Sequence, residues 1–191
     1  LYELVKGLDR ERYEPWVLLH PDNAYAEQFR GLPVDVITVE QPGEPQTAFT
    51  PEAWAGLRQS RLASWLKRNG PGAWLVHTAG FYLRDYRPLR ERARDLATVM
   101  AQVQPDLVHL NDAVCVSRAG IMAAHRLGIP AICHLRAMAW RTSFDRRLSR
   151  TLRGYIAISQ AVDRHQRSLG GRVSPSWVVH NGVDLDAFSG A

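Results

Sequence analysis

The sequence predicts an α/β protein in which helices cover both faces of a parallel β-sheet. Short runs of apolar residues alternate along the chain with segments that have helical periodicity. Most of these runs are hydrophobic throughout rather than at every second residue, which is typical of strands buried on both faces. Because each strand is separated from the next by a helix, the strands are expected to run parallel.

The first half of the chain contains two predicted strands and three predicted helices. Its longest helix has Thr50 as N-cap and Gly70 as the stop, and a Pro- and Gly-rich loop at 40–47 precedes it. The predicted elements are a helix at 2–8, a strand at 13–20, a short helix over "AEQF", a strand at 34–39 and the helix at 51–70.

The second half repeats a helix–strand unit. The helix before the first of these strands has its core face at Leu89, Ala93, Leu96, Ala97, Met100 and Val103, and Pro105 ends it. The strands are predicted near 106–110, 130–135, 154–158 and 176–180, with helices over "SRAGIMAAHRLG", 143–152 and "SQAVDRHQRSLG" between them.

Helix 51–69 has a composition suited to a bilayer interface. Its tryptophans, Trp54 and Trp65, occur together with Arg and Lys. However, Arg58 and Arg61 fall among the apolar positions, so ordinary packing is the main interpretation. Peripheral contact with the inner face of a membrane is the alternative.

Composition restricts the class of protein. A chain of 191 residues with 46% hydrophobic side chains is long enough to bury a core. Its apolar runs are shorter than a membrane span, and its N-terminus lacks the features of a signal peptide. Cys115 and Cys133 are predicted to be buried free thiols, which suits a reducing compartment. The sequence therefore predicts a cytoplasmic protein.

The net charge of +5 predicts an anionic partner. A phosphate, a nucleotide or an acidic membrane surface would satisfy it, whereas nucleic acid is disfavoured because no nucleic-acid-binding motif is present. The sequence also lacks the Gly-rich dinucleotide and P-loop motifs, the G-x-S-x-G elbow and H-x-x-x-H spacing. We therefore predict no bound cofactor and no metal site.

Four segments of the second half share their order with a known family: "PDLVHLND", "GIMAAHRLGIPAICHLR", "GYIAISQAV" and "WVVHNGVDLDAF". The chain resembles the N-terminal domain of retaining glycosyltransferases of family 4, which have the GT-B architecture of two Rossmann-like domains. The resemblance covers 89–188 well and 1–40 loosely as helix and strand. One difference is His180, where the family often has Pro.

The resemblance implies domain boundaries. In the family, the "NGVD…F" segment is the junction between the two domains, so we expect a Rossmann-like domain over 1–182 and the start of an interdomain linker at 183–191. Because the chain opens inside a helix, whereas a doubly wound sheet usually begins with a strand, we expect the first strand upstream of Leu1. The family's Glu-x7-Glu motif belongs to the C-terminal domain, which is expected to follow.

The resemblance also implies a function. The full enzyme would transfer a sugar, as a hexosyltransferase, from a nucleotide-sugar donor to a hydroxyl of a sugar or lipid-linked acceptor, with retention of configuration. This domain would supply the acceptor side, and the donor would be a co-substrate bound mainly by the C-terminal domain. The fragment by itself is expected to be inactive.

Candidate site residues follow the strands, because ligands of parallel sheets bind beyond the carboxyl ends. By resemblance, His134 matches a histidine near the point of sugar transfer, where an imidazole can hydrogen-bond a sugar or move a proton. The alternative is a histidine that only satisfies a loop carbonyl. Arg136 could hold a phosphate by a bidentate bond, and His109 is predicted to orient its neighbours. The predicted substrate-binding residues are Asn111, Asp112, Arg136, Ser159 and Asn181, with His134 as the catalytic residue.

Other interpretations stay open from the sequence. Arg141 is grouped with Arg136, whereas the arginines over 146–153 are interpreted as a solvated helix face. The chain could instead be a non-catalytic α/β module that binds a phosphorylated sugar or a protein partner. A phospho-acceptor receiver domain with Asp112 at a strand end is disfavoured, because it lacks the acidic pair and the following Lys.

Overall fold

The computed structural model describes residues 1–39, 82, 85–139, 142–168 and 175–182. The strands are paired in parallel throughout this part of the chain, and helices flank them. The predicted α/β fold is therefore confirmed. In chain order the elements are α1 (Tyr2–Lys6), β1 (Trp16–Leu19), α2 (Ala26–Arg30), β2 (Asp35–Thr38), α3 (Tyr86–Val103), β3 (Val108–Asn111), α4 (Arg118–Leu127), β4 (Ala131–Leu135), α5 (Ser143–Ser149), β5 (Gly154–Ala157), α6 (Gln160–Ser168) and β6 (Ser176–Val178).

Some predictions fall outside the described residues. They are the loop at 40–47, the helix at 51–70 with its two tryptophans, Arg141 and the linker at 183–191. The predicted domain boundaries stay predictions. By internal packing, the chain divides into the units Leu1–Ala48 and Phe49–Ala191.

The unit Leu1–Ala48 contains a two-stranded parallel sheet. β1 pairs with β2 from Trp16↔Asp35 to Leu19↔Thr38. Both strands are shorter than predicted at their N-terminal ends, and in each case a proline, which has no N–H for a ladder, lies just upstream. The core of this unit consists of Val5, Val17, Leu19, Ala26 and Phe29.

The unit Phe49–Ala191 contains a four-stranded parallel sheet in the order β3-β4-β5-β6. Along β4 the side chains alternate between buried (Ala131, Cys133, Leu135) and half-buried (Ile132, His134). The buried face packs with helix residues such as Ile121 and Ala124 into one core. The opposite face of the sheet is only half-buried. The apolar strand sequences predicted burial on both faces, so they did not indicate this difference between the two faces.

Helix α3 packs against α4, which in turn contacts β3. It starts at Tyr86, earlier than the predicted core face, because Pro88 lies in the first turn where a missing N–H costs no hydrogen bond. It ends at Gln104, which adopts a left-handed φ of 52°. Helix α4 ends at Gly128, as predicted, with a left-handed φ of 71° that glycine adopts without strain.

The helix predicted over 143–152 is shorter in the structure, because α5 ends at Ser149. Thr142 caps its start: the Thr142 hydroxyl accepts from the Asp145 N–H at 3.2 Å, and the Asp145 carboxylate accepts from the Thr142 N–H at 2.7 Å. This reciprocal capping box fixes where the chain enters α5.

Candidate functional site

The carboxyl ends of β3 and β4 bring predicted site residues together. Asn111 pairs with His134 in the parallel ladder. The Asp112 N–H continues the pairing by donating to the His134 carbonyl at 3.1 Å. Asn111 is the last residue of β3 and His134 the penultimate residue of β4, so both lie within strands rather than after them. Paired positions of a parallel ladder share one face of the sheet, so these side chains lie on the half-buried face.

Asp112 makes the turn that follows β3. Its φ of 151° is in a region that costs a non-glycine residue about 1–3 kcal/mol. The Asp112 carboxylate accepts from the next N–H, of Ala113, at 2.6 Å, and its carbonyl accepts from the Cys133 thiol at 2.9 Å. These contacts hold the strained turn, so the carboxylate is engaged in local structure.

The imidazole of His134 has unused hydrogen-bonding capacity. Both of its ring nitrogens are buried and have no hydrogen-bond partner among the described residues. Burial lowers the pKa of His134, and the cationic Arg136 lowers it further. The ring is therefore neutral at pH 7, with one nitrogen that donates and one that accepts. The alternative was a histidine that only donates to a loop carbonyl, and in the described part of the chain neither ring nitrogen makes such a hydrogen bond.

Arg136 follows β4 and lies at the rim of the site. Its side chain is exposed, and its Nη1 lies 3.5 Å from the Asn111 Oδ1, at the limit of a hydrogen bond. The guanidinium therefore lies beside the carboxyl ends of β3 and β4, and most of its N–H donors face solvent. It is placed to meet an anionic group that approaches the strand ends.

The other two predicted residues have different surroundings. The Ser159 hydroxyl accepts from the Val162 N–H at 3.2 Å, which caps α6 as the sequence suggested. Asn181 is exposed and lies three residues beyond β6, so it does not end that strand. No hydrogen bond connects either residue to His134 in the described part of the chain.

His109 lies closer to the predicted catalytic residue His134 than the sequence indicated. Its ring lies against the ring of His134, with centroids 5.6 Å apart and planes inclined by 20°. Burial lowers the pKa of His109 to about 4, and its neighbour His134 contributes to that shift. The strand alternation could have indicated the shared face, because His109, Asn111 and His134 fall on one side once β3 and β4 are paired in register.

The sequence also did not indicate a buried ion pair between α4 and α5. Arg118, the first residue of α4, donates to the Asp145 carboxylate through Nε at 2.6 Å and through Nη2 at 2.9 Å. Asp145 has 0% exposure, and it also accepts from the Thr142 hydroxyl at 2.9 Å. Burial raises the pKa of Asp145, but the bonds from Arg118 and Thr142 outweigh burial and leave the pKa below its ordinary value.

This ion pair connects the first turns of α4 and α5. Arg118 begins the helix after the Asp112 turn, and Asp145 lies in the helix after the segment that starts at Arg136. The pair therefore ties together the starts of the two helices that follow β3 and β4. The two Cys residues are free thiols; Cys133 is fully buried and Cys115 half-buried, and burial raises the pKa of Cys115.

The geometry is that of a small polar site at the strand ends, with a neutral imidazole, a side-chain amide and a guanidinium. Such groups hydrogen-bond hydroxyls and neutralise phosphates. Among the described residues, no group of three or more His, Cys, Asp or Glu side chains is arranged to hold a metal ion.

A parallel α/β sheet flanked by helices is consistent with a Rossmann-like domain. Comparison with protein families then identifies the family of this domain. The chain belongs to Glycosyltransferase Family 4, whose family model matches residues 1–187. The family and the fold together are consistent with the N-terminal domain of a GT-B glycosyltransferase and indicate a glycosyltransferase-type function.

A comparison with curated proteins gave no significant match. In the part of the chain that the structure describes, none of the helices combines the length and the apolar character needed to cross a bilayer.

Proposed function

We propose that the chain is the acceptor-side domain of a retaining hexosyltransferase. The full enzyme transfers a sugar from a nucleotide-sugar donor to a hydroxyl of a sugar or lipid-linked acceptor. The observation that carries this proposal is the neutral His134 ring at the carboxyl edge of the sheet, whose two nitrogens are buried and have no hydrogen-bond partner among the described residues.

The proposed role of His134 follows from its protonation state. A neutral imidazole can accept a hydrogen bond from one hydroxyl and donate one to another, and it can take up the proton of an acceptor hydroxyl as the new glycosidic bond forms. Its lowered pKa keeps it in this form at neutral pH. A protonated ring would have no acceptor nitrogen left.

The proposed role of Arg136 is electrostatic. Its guanidinium is exposed and next to Asn111, which leaves donors for a phosphate on the donor or the acceptor. In the proposed enzyme, a second domain binds most of the nucleotide-sugar and stabilises the departing diphosphate. The isolated domain is then inactive because it holds only one side of the cleft.

The test is turnover of the full-length protein with a panel of UDP-, GDP- and ADP-linked hexoses, measured as release of nucleoside diphosphate. His134→Ala should lower kcat by at least about tenfold, as expected for loss of a positioned transition-state contact. His125→Ala is the matched control, because His125 is exposed on α4.

Two results would contradict the proposal. One is near-normal turnover of His134→Ala, which would remove this residue from the site. The other is a full-length protein that binds a phosphorylated sugar but transfers nothing from any donor, which would favour a non-catalytic binding module.

A further inference from the structure

The imidazoles of His109 and His134 form a stack across two neighbouring strands. Their ring centroids are 5.6 Å apart and the planes are inclined by 20°. In the ladder, His134 pairs with Asn111, which places His109 two residues earlier on the same face. Such diagonal neighbours in a sheet are within reach of aromatic rings.

His109 lies deeper than the site. It is two residues before the end of β3, which corresponds to about 6–7 Å along a strand. Its Nε2 is buried and has no hydrogen-bond partner in the described part of the chain. His109 is therefore placed to act on a ligand through His134 rather than by touching it.

The stack consists of two neutral rings. Burial lowers the pKa of both histidines, and their mutual electrostatic effect adds to the shift for His109. Neutral aromatic rings in offset contact attract each other, whereas two imidazolium ions would repel. The His134 ring has no hydrogen bond of its own among the described residues, and its contact with the His109 ring restrains its orientation.

We infer that His109 is a positioning residue, whose ring holds the imidazole of His134 in the orientation needed for sugar transfer. This inference rests on the proposed function of His134. It goes beyond that function by assigning to His109, a half-buried strand residue, the control of how the catalytic ring is presented. Misplacing a reacting group by about 1 Å can cost about 100-fold in rate, so even a partial loss of restraint should be measurable.

The experiment uses two variants of the full-length protein. His109→Phe keeps an aromatic ring for stacking but removes both nitrogens, and His109→Leu fills the site without a ring. kcat and KM are measured with the hexose donor of the panel that the wild type uses best. The inference predicts that His109→Phe stays within about threefold of the wild-type kcat, while His109→Leu lowers kcat about tenfold with little change in KM.

A second readout does not depend on activity. In protein with isotope-labelled histidine, the ring protons of His134 should show an NMR shift caused by the neighbouring aromatic ring. The shift should be retained in His109→Phe and lost in His109→Leu, and thermal unfolding midpoints should identify any variant that fails to fold.

Equal kcat values for the Phe and Leu variants would overturn the inference, because packing volume alone would then explain the residue. A Phe variant as slow as the Leu variant but with the ring shift intact would also overturn it, because an imidazole nitrogen would then be required. If His134→Ala itself is fully active, the proposed function fails. The NMR shift of the His134 ring protons then decides separately whether His109 restrains that ring. A shift retained in His109→Leu would overturn the stacking contact, whereas a shift lost in His109→Leu and kept in His109→Phe would support it.

Discussion

Replacing Asp145 by Asn should destabilise the chain by about 3–4 kcal/mol, because it removes the buried carboxylate that pairs with Arg118 and weakens the cap of α5. The substitution keeps the shape of the side chain. However, the carboxylate accepts from Arg118 at 2.6 and 2.9 Å and from the Thr142 N–H at 2.7 Å. An amide has only one oxygen, so its NH₂ group must face some of these donors.

The magnitude follows from the burial of the two partners. Breaking a buried ion pair from one side costs about 3–5 kcal/mol. Arg118 keeps 20% of its side chain exposed and can recover some hydration, so the lower end of that range applies. The capping box of α5 is weakened at the same time, and an N-cap contributes typically about 1 kcal/mol.

Urea unfolding followed by circular dichroism would measure this loss. Glu91→Gln is the matched control, because Glu91 pairs with Arg87 at the surface of α3 and both side chains are at least half exposed. That change should cost less than about 0.5 kcal/mol. Adding Arg118→Met to Asp145→Asn should recover part of the stability, because the buried charge that lost the Asp145 carboxylate is replaced by an apolar side chain. A loss below 1 kcal/mol for Asp145→Asn would refute this reasoning.

Two further predictions concern the sheet. The folded state lowers the pKa of His109 from 6.5 to about 4, so its contribution to stability should be complete above pH 6.5 and lost as pH falls toward 4. Urea unfolding at a series of pH values should show that the free energy of unfolding falls by at most about 3 kcal/mol, a figure that solvent screening reduces. In His109→Phe this dependence on pH should be weaker. An unchanged dependence on pH would contradict the lowered pKa of His109. Gly154→Ala should cost about 1–3 kcal/mol, because its Cβ would lie 2.9 Å from the Pro175 carbonyl oxygen. Thermal melts would measure this cost; Gly182→Ala, whose new Cβ would have no described atom within 4 Å, should be close to neutral in them.

Local signals predicted the α/β class and most of the elements. Apolar runs indicated all the strands that the structure describes, and stop signals such as Gly128 ended helices where their φ angles required it. Boundaries were less accurate, because strand ends depend on which N–H groups have a partner across the ladder. β3 thus extends to Asn111, whose partner is His134.

The sequence by itself determined the alternation of strands and helices, the carboxyl-edge position of Asn111, His134 and Arg136, and the resemblance to the family. These depend on local periodicity, turn residues and short motifs. The tertiary structure alone decided the stack of His109 on His134 and the pairing of Arg118 with Asp145, which are 25 and 27 residues apart. Such contacts depend on the register between parallel strands and on the packing of the crossover helices. Register is set by the burial of a whole sheet face, and no short segment of the sequence contains that information.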